Sequence, residues 1–193
     1  FMNTLEAESK ILPRFPNSYH IVYDLDNMGL FSSNIIIEDK IDGELCGTVL
    51  NLNNPMIRKR DVKYEFSEKH SNRSVIAWMK INKEKFLYMS KIGSYSIYGQ
   101  WKIKGRNFSE RFIAHDVYDY KNEFWLPPLE ARMHLQVAGF SIPTLRFYGK
   151  FDDCFNFCNL KIKKFCIKVY DETKTTHRFK LINECKRKNC LFC

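Results

Sequence analysis

The chain has 193 residues, of which 45% are hydrophobic and 15% aromatic, so it can bury one good core and is predicted to form a single domain. No apolar run approaches the roughly 20 residues that a membrane-spanning helix requires, which argues against a membrane protein. The formal net charge is +9, and residues 161–193 carry ten Lys or Arg against three acidic residues. Such a basic C-terminal segment suits a polyphosphate or nucleic-acid backbone. The alternative is a solvated, lysine-rich surface.

The seven cysteines are an odd number in a lysine-rich chain without secretory features, which favours reduced thiols and a cytoplasmic or nuclear location. Three of them, Cys185, Cys190 and Cys193, stand in a basic tail. No fourth ligand is nearby, so free thiols are favoured there over a zinc site. We therefore expect a domain over residues 1–183 and an unstructured tail over 184–193.

In chain order, the first informative element is a turn, residues 40–43 (KIDG), between the apolar runs 35–37 and 45–52. We expect Gly43 to permit a positive φ and Asp42 to orient the loop. Such a turn can hold the amine of Lys40 against a phosphate, and a lysine amine becomes a nucleophile once it is deprotonated. A charged hairpin turn closed by Gly43 is the alternative.

Farther along the chain, the polar stretch 67–74 reads as an exposed connection that contains Arg73. Residues 112–119 alternate in character and are predicted to form a strand. The predicted faces of this strand are Ile113, His115 and Val117 on one side and Phe112, Ala114 and Asp116 on the other.

A helix is predicted from Pro128 to Ala138, with the proline in its first turn and Gly139 as its stop. Its apolar residues at helical spacing, which we expect to face the core, are Leu129, Met133 and Val137. Two further strands follow, one with Phe165, Ile167 and Val169 facing inward and one with Arg178, Lys180 and Ile182 on one face. The chain is therefore mostly strands with few helices.

These elements carry a resemblance to a known family. Residues 36–44 (IIEDKIDGE) resemble motif I of the covalent nucleotidyltransferases, whose lysine takes AMP or GMP as a phosphoramidate. Residues 96–101 (SIYGQW) and 111–119 (RFIAHDVYD) look like the "YGEW" and "F-hydrophobic-x-F-D-V-Y-D" segments of ATP-dependent RNA ligases.

Further matches follow in the order of that family. They are residues 124–132 (FWLPPLEAR) and 139–143 (GFSIP) after motif III, 165–170 (FCIKVY) in the tail of motif IV, and 178–182 (RFKLI) in motif V. The resemblance implies an α+β nucleotidyltransferase fold, with two mostly antiparallel sheets, flanking helices and a nucleotide cleft between the sheets.

The resemblance also implies a chemistry. Lys40 would attack the α-phosphorus of ATP, while Arg178 and Lys180 would hold the α-phosphate oxygens. The residues that would bind the nucleotide are Asp42, Gly43, Arg73, Gln100, His115 and Lys168. Among them, His115 would stack on adenine, Arg73 would be the phosphate-binding arginine of motif Ia, and Gln100 would bond a ribose hydroxyl. A surface arginine at 73 and an ordinary strand histidine at 115 are the alternatives.

Two positions depart from the family pattern. Gln100 replaces the glutamate of "YGEW", and Lys163-Lys164 replace the Glu-Gly pair of motif IV. Because the family uses the motif IV carboxylate to hold Mg²⁺ or Mn²⁺, a lysine there repels the ion. The metal ligands therefore stay open, with Glu38, Asp39, Glu44 and Glu172 as candidates.

The resemblance favours ATP-dependent ligation or repair of RNA that has 5′-phosphate and 3′-hydroxyl ends. The first alternative is a catalytically impaired paralogue that binds ATP or RNA. A GTP-using capping enzyme shares the lysine chemistry, but the segments at 96–101 and 111–119 favour ligases. A basic RNA-binding protein without nucleotide chemistry, dependent on residues 186–188, is a further alternative. The sequence gives no oligomeric state.

Overall fold

The computed structural model describes residues 10–16, 19–20, 33–51, 54–59, 70–102, 107–150 and 164–182. Its strands are β1 (Tyr19–His20), β2 (Asn34–Asp39), β3 (Glu44–Asn51), β4 (Asn54–Lys59), β5 (Tyr95–Trp101), β6 (Phe112–Asp119), β7 (Phe124–Trp125), β8 (Leu145–Lys150), β9 (Lys164–Tyr170) and β10 (Thr175–Ile182). Its α-helices are α1 (His70–Ile81), α2 (Lys83–Ile92) and α3 (Pro128–Val137). None of the helices in these ranges combines the length and the apolar character needed to cross a bilayer.

The strands form two five-stranded sheets. Sheet A has the order β1-β10-β9-β2-β8, and sheet B has the order β4-β3-β5-β6-β7. All neighbouring strands are antiparallel except β1 and β10, which are parallel. The predicted α+β class with two mostly antiparallel sheets is therefore confirmed.

The chain divides into two compact units that correspond to the sheets. One unit comprises residues 1–15 and 42–142 and contains sheet B, and the other comprises residues 16–41 and 143–193 and contains sheet A. Because β2 pairs with β8 and β9 whereas β3 pairs with β4 and β5, the connection 40–43 does not close a hairpin. The hairpin alternative for this turn is wrong.

The core of the sheet B unit gathers around Trp78 of α1. Its ring lies 5.1 Å from that of Phe112 and 6.0 Å from that of Phe86, measured between centroids. The indole N–H donates to the carbonyl of Ser109 at 3.0 Å, which satisfies the polar atom of a buried aromatic side chain. Helix α1 begins at His70, so the predicted exposed connection over 67–74 is wrong for its second half.

A β-bulge in β6 changes the predicted faces of that strand. Tyr98 pairs with Asp116 but Gly99 pairs with Ala114, so His115 is the inserted residue. Past the bulge the alternation reverses, and Val117 joins Phe112 in the core instead of lying on the opposite face. The predicted grouping of Ile113, His115 and Val117 is therefore wrong.

Helix α3 has the predicted limits but the opposite orientation. Pro128 is its first residue, and Gly139 follows its end with a φ of 81°. The apolar stripe predicted to be buried is exposed, at 38% for Leu129, 55% for Met133 and 62% for Val137. The buried residues of the segment are Pro128, Ala131, Leu135 and Ala138. The small alanines allow the helix to approach the sheet closely, so they occupy the core side.

We predict that two substitutions in α3 separate these stripes. Leu135→Ala should lower the free energy of unfolding by about 2–5 kcal/mol, because it leaves a cavity at a fully buried position. Met133→Ala should change it by less than about 0.5 kcal/mol. Denaturant unfolding of both variants measures the difference, and a larger loss for Met133→Ala would contradict this orientation of α3.

Residues 10–16 lie on the face of sheet B opposite the helices. Leu12 is fully buried there with Val49 and Tyr98. The backbone carbonyls of this segment accept side-chain hydrogen bonds: Pro13 from the Tyr98 hydroxyl at 2.6 Å, Leu12 from Arg58 at 2.6 Å, and Ile11 from the Ser96 hydroxyl. The segment is thereby fixed to the sheet.

In sheet A, the apolar face predicted for β9 is confirmed. Phe165, Ile167 and Val169 are all buried, and Ile167 pairs with Ile37 across β2. The cysteines in the described ranges, Cys46 and Cys166, are free thiols, and burial raises the pKa of the Cys46 thiol to about 12. The cysteines of the tail lie outside the described residues.

Candidate active site

Lys40 directly follows β2, and the backbone around it is bonded to both neighbouring strands of sheet A. The amide of Asp39 donates to the carbonyl of Thr144 at 3.0 Å, just before β8. The amide of Lys40 donates to the carbonyl of Lys164 at 3.2 Å, at the start of β9. These two bonds fix the backbone that carries the lysine.

Side chains fasten the same end of β2. Arg146 of β8 donates two hydrogen bonds to the carboxylate of Asp39, at 2.7 Å from Nε and 2.8 Å from Nη2. A two-point contact of this kind fixes orientation as well as distance. The hydrogen bonds and the charge of Asp39 raise the pKa of the Arg146 guanidinium. A register shift between Ile37 and Glu38 makes Arg146 the inserted residue of a bulge in β8.

Glu38, one residue earlier, binds the neighbouring strand on the other side. Its carboxylate lies 2.8 Å from the Nζ of Lys168, and the two side chains are 2% and 4% exposed. Lys168 stands directly opposite Arg178 of β10, which is also buried. Residues directly opposite one another share a face of a sheet. Lys168 and Arg178 are therefore two buried cations that lie side by side in sheet A, whose strand β2 leads to Lys40.

The remaining motif V residue, Lys180, pairs in register with Cys166. It stands two residues after Arg178 in one continuous strand, so both positions lie on one face, as predicted. Lys164 is the exposed first residue of β9, whereas Lys163 lies outside the described residues.

We predict that the rate of the reaction implied for Lys40 depends on the face of β10 that carries Arg178 and not on the turn before β10. Arg178→Gln should slow transfer of AMP to the protein by about a hundredfold, since a single donor to a developing phosphate charge contributes that much. Lys174→Gln removes an exposed lysine from the turn between β9 and β10 and should leave the rate unchanged. Single-turnover labelling with ATP measures both rates. Equal losses would indicate a diffuse basic surface.

The other candidate residues lie in the sheet B unit. Asp42 and Gly43 are exposed and precede β3. The expected positive φ at Gly43 is wrong, because the described glycines with positive φ are Gly139 and Gly149. A Cβ at position 43 would instead lie 2.8 Å from the carbonyl oxygen of Trp101. Close approach of two backbones therefore requires this glycine.

Gln100 and His115 occupy adjacent strands of sheet B. Gln100 is half-buried in β5, opposite Leu45 of β3 and Ile113 of β6. The Nδ1 of His115 lies 2.7 Å from the carboxylate of Asp116, a buried group that orients the ring.

The ring of Phe15 meets that of His115 edge to face, with centroids 5.5 Å apart. Sequence reasoning missed both Asp116 and Phe15 as neighbours of the histidine. Asp116 lies within the matched segment 111–119 and could have been found there, whereas nothing in the sequence indicated that Phe15 contacts the histidine.

Arg73 lies in the first part of α1 and is exposed. The structure thus brings Lys40, Lys168, Arg178 and Lys180 into one unit. It places Asp42, Gly43, Arg73, Gln100 and His115 in the other unit.

The described residues do not provide a site for Mg²⁺ or Mn²⁺. Three of the four candidate carboxylates form ion pairs with basic side chains. Glu38 pairs with Lys168, Asp39 with Arg146, and Glu44 with Lys59 at 2.9 Å. Glu172 is exposed in the turn after β9. Across the described ranges, no three His, Cys, Asp or Glu side chains gather into a group that could hold a metal ion.

Comparison of this architecture with solved structures identifies the fold. The two sheets and their helices match the nucleotidyltransferase fold of an RNA ligase. No protein-family model matches the sequence, and no curated protein matches it.

Solved structures of an RNA ligase from Naegleria gruberi are similar to this chain. Its complex with PPi superposes with a TM-score of 0.65 at 13% identity, over 89% of this chain and 56% of the ligase. A mutant of that ligase with ATP and Mn gives 0.66 at 12% identity, over 90% and 57%. A second mutant with ATP and Mn gives 0.63 at 14% identity, over 89% and 57%. The chain spans a little over half the length of the ligase, and the likeness establishes the fold.

Proposed function

We propose that this chain is an ATP-dependent, RNA ligase-like nucleotidyltransferase that forms lysyl-AMP on Lys40. One observation carries the proposal: Lys40 is fixed by its backbone to β9, and the same sheet holds two buried cations side by side, Lys168 and Arg178. A nucleophilic amine and two cations in one sheet are groups that transfer of a phosphoryl-linked group needs.

In the proposed reaction, the deprotonated amine of Lys40 attacks the α-phosphorus of ATP. A nitrogen–phosphorus bond forms, the bond to the bridging oxygen breaks, and pyrophosphate leaves with the bonding electrons. Lys168 and Arg178 offset the negative charge that develops on the phosphate oxygens. His115 and Gln100 belong to the sheet B unit, and the resemblance assigns them to the adenine and to a ribose hydroxyl.

The proposed second half of the reaction uses RNA. The 5′-phosphate of an RNA end attacks lysyl-AMP and takes the AMP, and the 3′-hydroxyl of another end then displaces AMP and seals the strand. The solved structures of similar fold are of an RNA ligase, which supports this substrate class.

The test is incubation of the protein with α-labelled ATP in the presence of Mg²⁺ or Mn²⁺. We expect label on the polypeptide that survives alkali and is released by acid, because a phosphoramidate behaves in that way and a phosphoester does not. Label with the opposite stability would overturn the assignment of a lysine adduct.

A specific observation favours one competing function, a nucleotide-binding domain with impaired catalysis. The motif IV carboxylate is replaced by Lys163, and the carboxylates of β2 are engaged by Lys168 and Arg146. That protein would bind ATP at equilibrium without labelling. Equilibrium binding of ATP, measured beside the labelling, separates the two functions.

A further inference from the structure

Strand β8, at one edge of sheet A, exposes an alternation of cations and an aromatic ring. Arg146, Tyr148 and Lys150 are exposed, whereas the residues between them are half-buried. Tyr148 is 65% exposed, which is unusual for so large a ring in a strand. We refer to these three residues as the β8 strip. Aromatic faces between basic side chains are the elements with which proteins bind single-stranded nucleic acids.

The strip is continuous with the cations proposed to bind phosphate. Tyr148 stands opposite Ile36 of β2, which stands opposite Lys168, which in turn stands opposite Arg178. These four residues therefore form one row on one face of sheet A. Tyr148 is exposed at one end of the row, whereas Ile36, Lys168 and Arg178 are all buried.

The next row has the same character. Lys150 stands opposite Asn34, which stands opposite Tyr170. Burial and, secondarily, the neighbouring Tyr148 raise the pKa of the Tyr170 hydroxyl, which is consistent with the two tyrosines lying close together. Only the short side chain of Asn34 separates Lys150 from Tyr170, so a second ring lies beside the strip.

We propose that the β8 strip is a binding surface for single-stranded RNA, on which an unpaired base stacks against Tyr148 and the adjoining phosphate binds Lys150. The proposal rests on the function given above and names where its RNA substrate lies. Arg146, which is bonded to Asp39, contributes its positive charge to the surface. Lys168 is two strands from Tyr148, or about 10 Å, and Arg178 is three strands away, or about 14 Å, so one strand of RNA is long enough to span them.

Physical arguments favour this occupant over a protein strand or a duplex. Basic side chains along an edge strand oppose pairing with a strand of another protein. A duplex hides the faces of its bases, whereas an unpaired end exposes them for stacking. Lys150 and Arg146 have the charge that a phosphate backbone requires.

The test is binding of a short, 5′-phosphorylated single-stranded RNA, followed by fluorescence anisotropy without ATP. Tyr148→Ala should weaken binding by about five- to a hundredfold, the usual contribution of one stacked base. Tyr148→Trp should retain the affinity of the parent protein. Lys150→Gln should reduce the slope of log affinity against log salt by about 1. Tyr88→Ala, which removes an exposed tyrosine from α2, is the matched control and should change nothing.

Two outcomes would overturn the proposal. One is unchanged RNA affinity in Tyr148→Ala, and the other is equal loss in Tyr148→Ala and Tyr148→Trp, which would exclude stacking. Labelling of Lys40 by ATP without RNA is measured on the same variants. That reaction does not involve Tyr148 or Lys150. Normal labelling with unchanged RNA binding in their variants would therefore contradict the RNA-binding surface alone, whereas absent labelling in the parent protein would contradict the proposed function.

Discussion

Lys40→Ala should eliminate covalent AMP from the protein while leaving it folded. The amine is the nucleophile of the proposed reaction, and the side chain follows the end of β2, where it contributes little to packing. The backbone bond from position 40 to the carbonyl of Lys164 does not depend on the side chain. Lys40→Arg should fail as well, because a guanidinium stays protonated and cannot attack phosphorus. We expect no label above background in either variant.

The measurement is incorporation of α-labelled ATP, with thermal unfolding to verify the fold. Lys80→Ala serves as the control, since it removes an exposed lysine from α1 and should label as the parent protein does. Undiminished labelling of Lys40→Ala would show that another residue is the nucleophile.

The second large effect concerns the buried ion pair between Glu38 and Lys168. Lys168→Met should lower the free energy of unfolding by about 3–5 kcal/mol, because it leaves the Glu38 carboxylate buried without this cation. Glu38→Leu should cost a comparable amount, because it leaves the Lys168 ammonium buried without its carboxylate. The double variant Glu38→Leu, Lys168→Met should recover most of the loss, since apolar side chains of similar size can replace a buried pair.

Stability and function should separate in that double variant. It should fold but bind ATP more weakly than the parent protein, since Lys168 is one of the two cations proposed to hold the phosphates. Denaturant unfolding of the four proteins forms a double-mutant cycle, and ATP binding is measured on each. Additive losses in unfolding free energy would mean that the two side chains do not stabilise one another.

Local sequence signals predicted where several elements begin and end, but not which of their faces is buried. Pro128 and Gly139 mark the two ends of α3, because each residue affects the backbone conformation only locally. The helix carries two apolar stripes, however, and only packing against the sheet selects Ala131 and Leu135 over Met133. The bulge at His115 likewise depends on pairing with β5, which the alternation of β6 does not reveal.

The candidate site shows the same division. The matched segments identified Lys40, Lys168 and Arg178, because each lies within a short run of characteristic residues. The partners of the acidic residues were beyond reach, since Asp39 and Arg146 are 107 positions apart in the chain. Glu38 and Asp39 were candidates for metal ligands on sequence grounds, and the structure shows both in ion pairs. Only the register of β8, β2 and β9 brings these groups together.

The attachment of residues 10–16 to sheet B has a consequence for how this part of the sequence can vary. Its three anchoring bonds end on main-chain carbonyls, those of Ile11, Leu12 and Pro13. Sheet B thus fixes the backbone of this segment without requiring a particular side chain at most of its positions. Substitutions there should be tolerated wherever the path of the backbone is kept, except at Leu12, whose side chain is fully buried, and at Phe15, whose ring contacts Tyr98 and His115. The side chains of Arg58, Ser96 and Tyr98 donate these bonds, so replacing any of them removes an anchor of the segment.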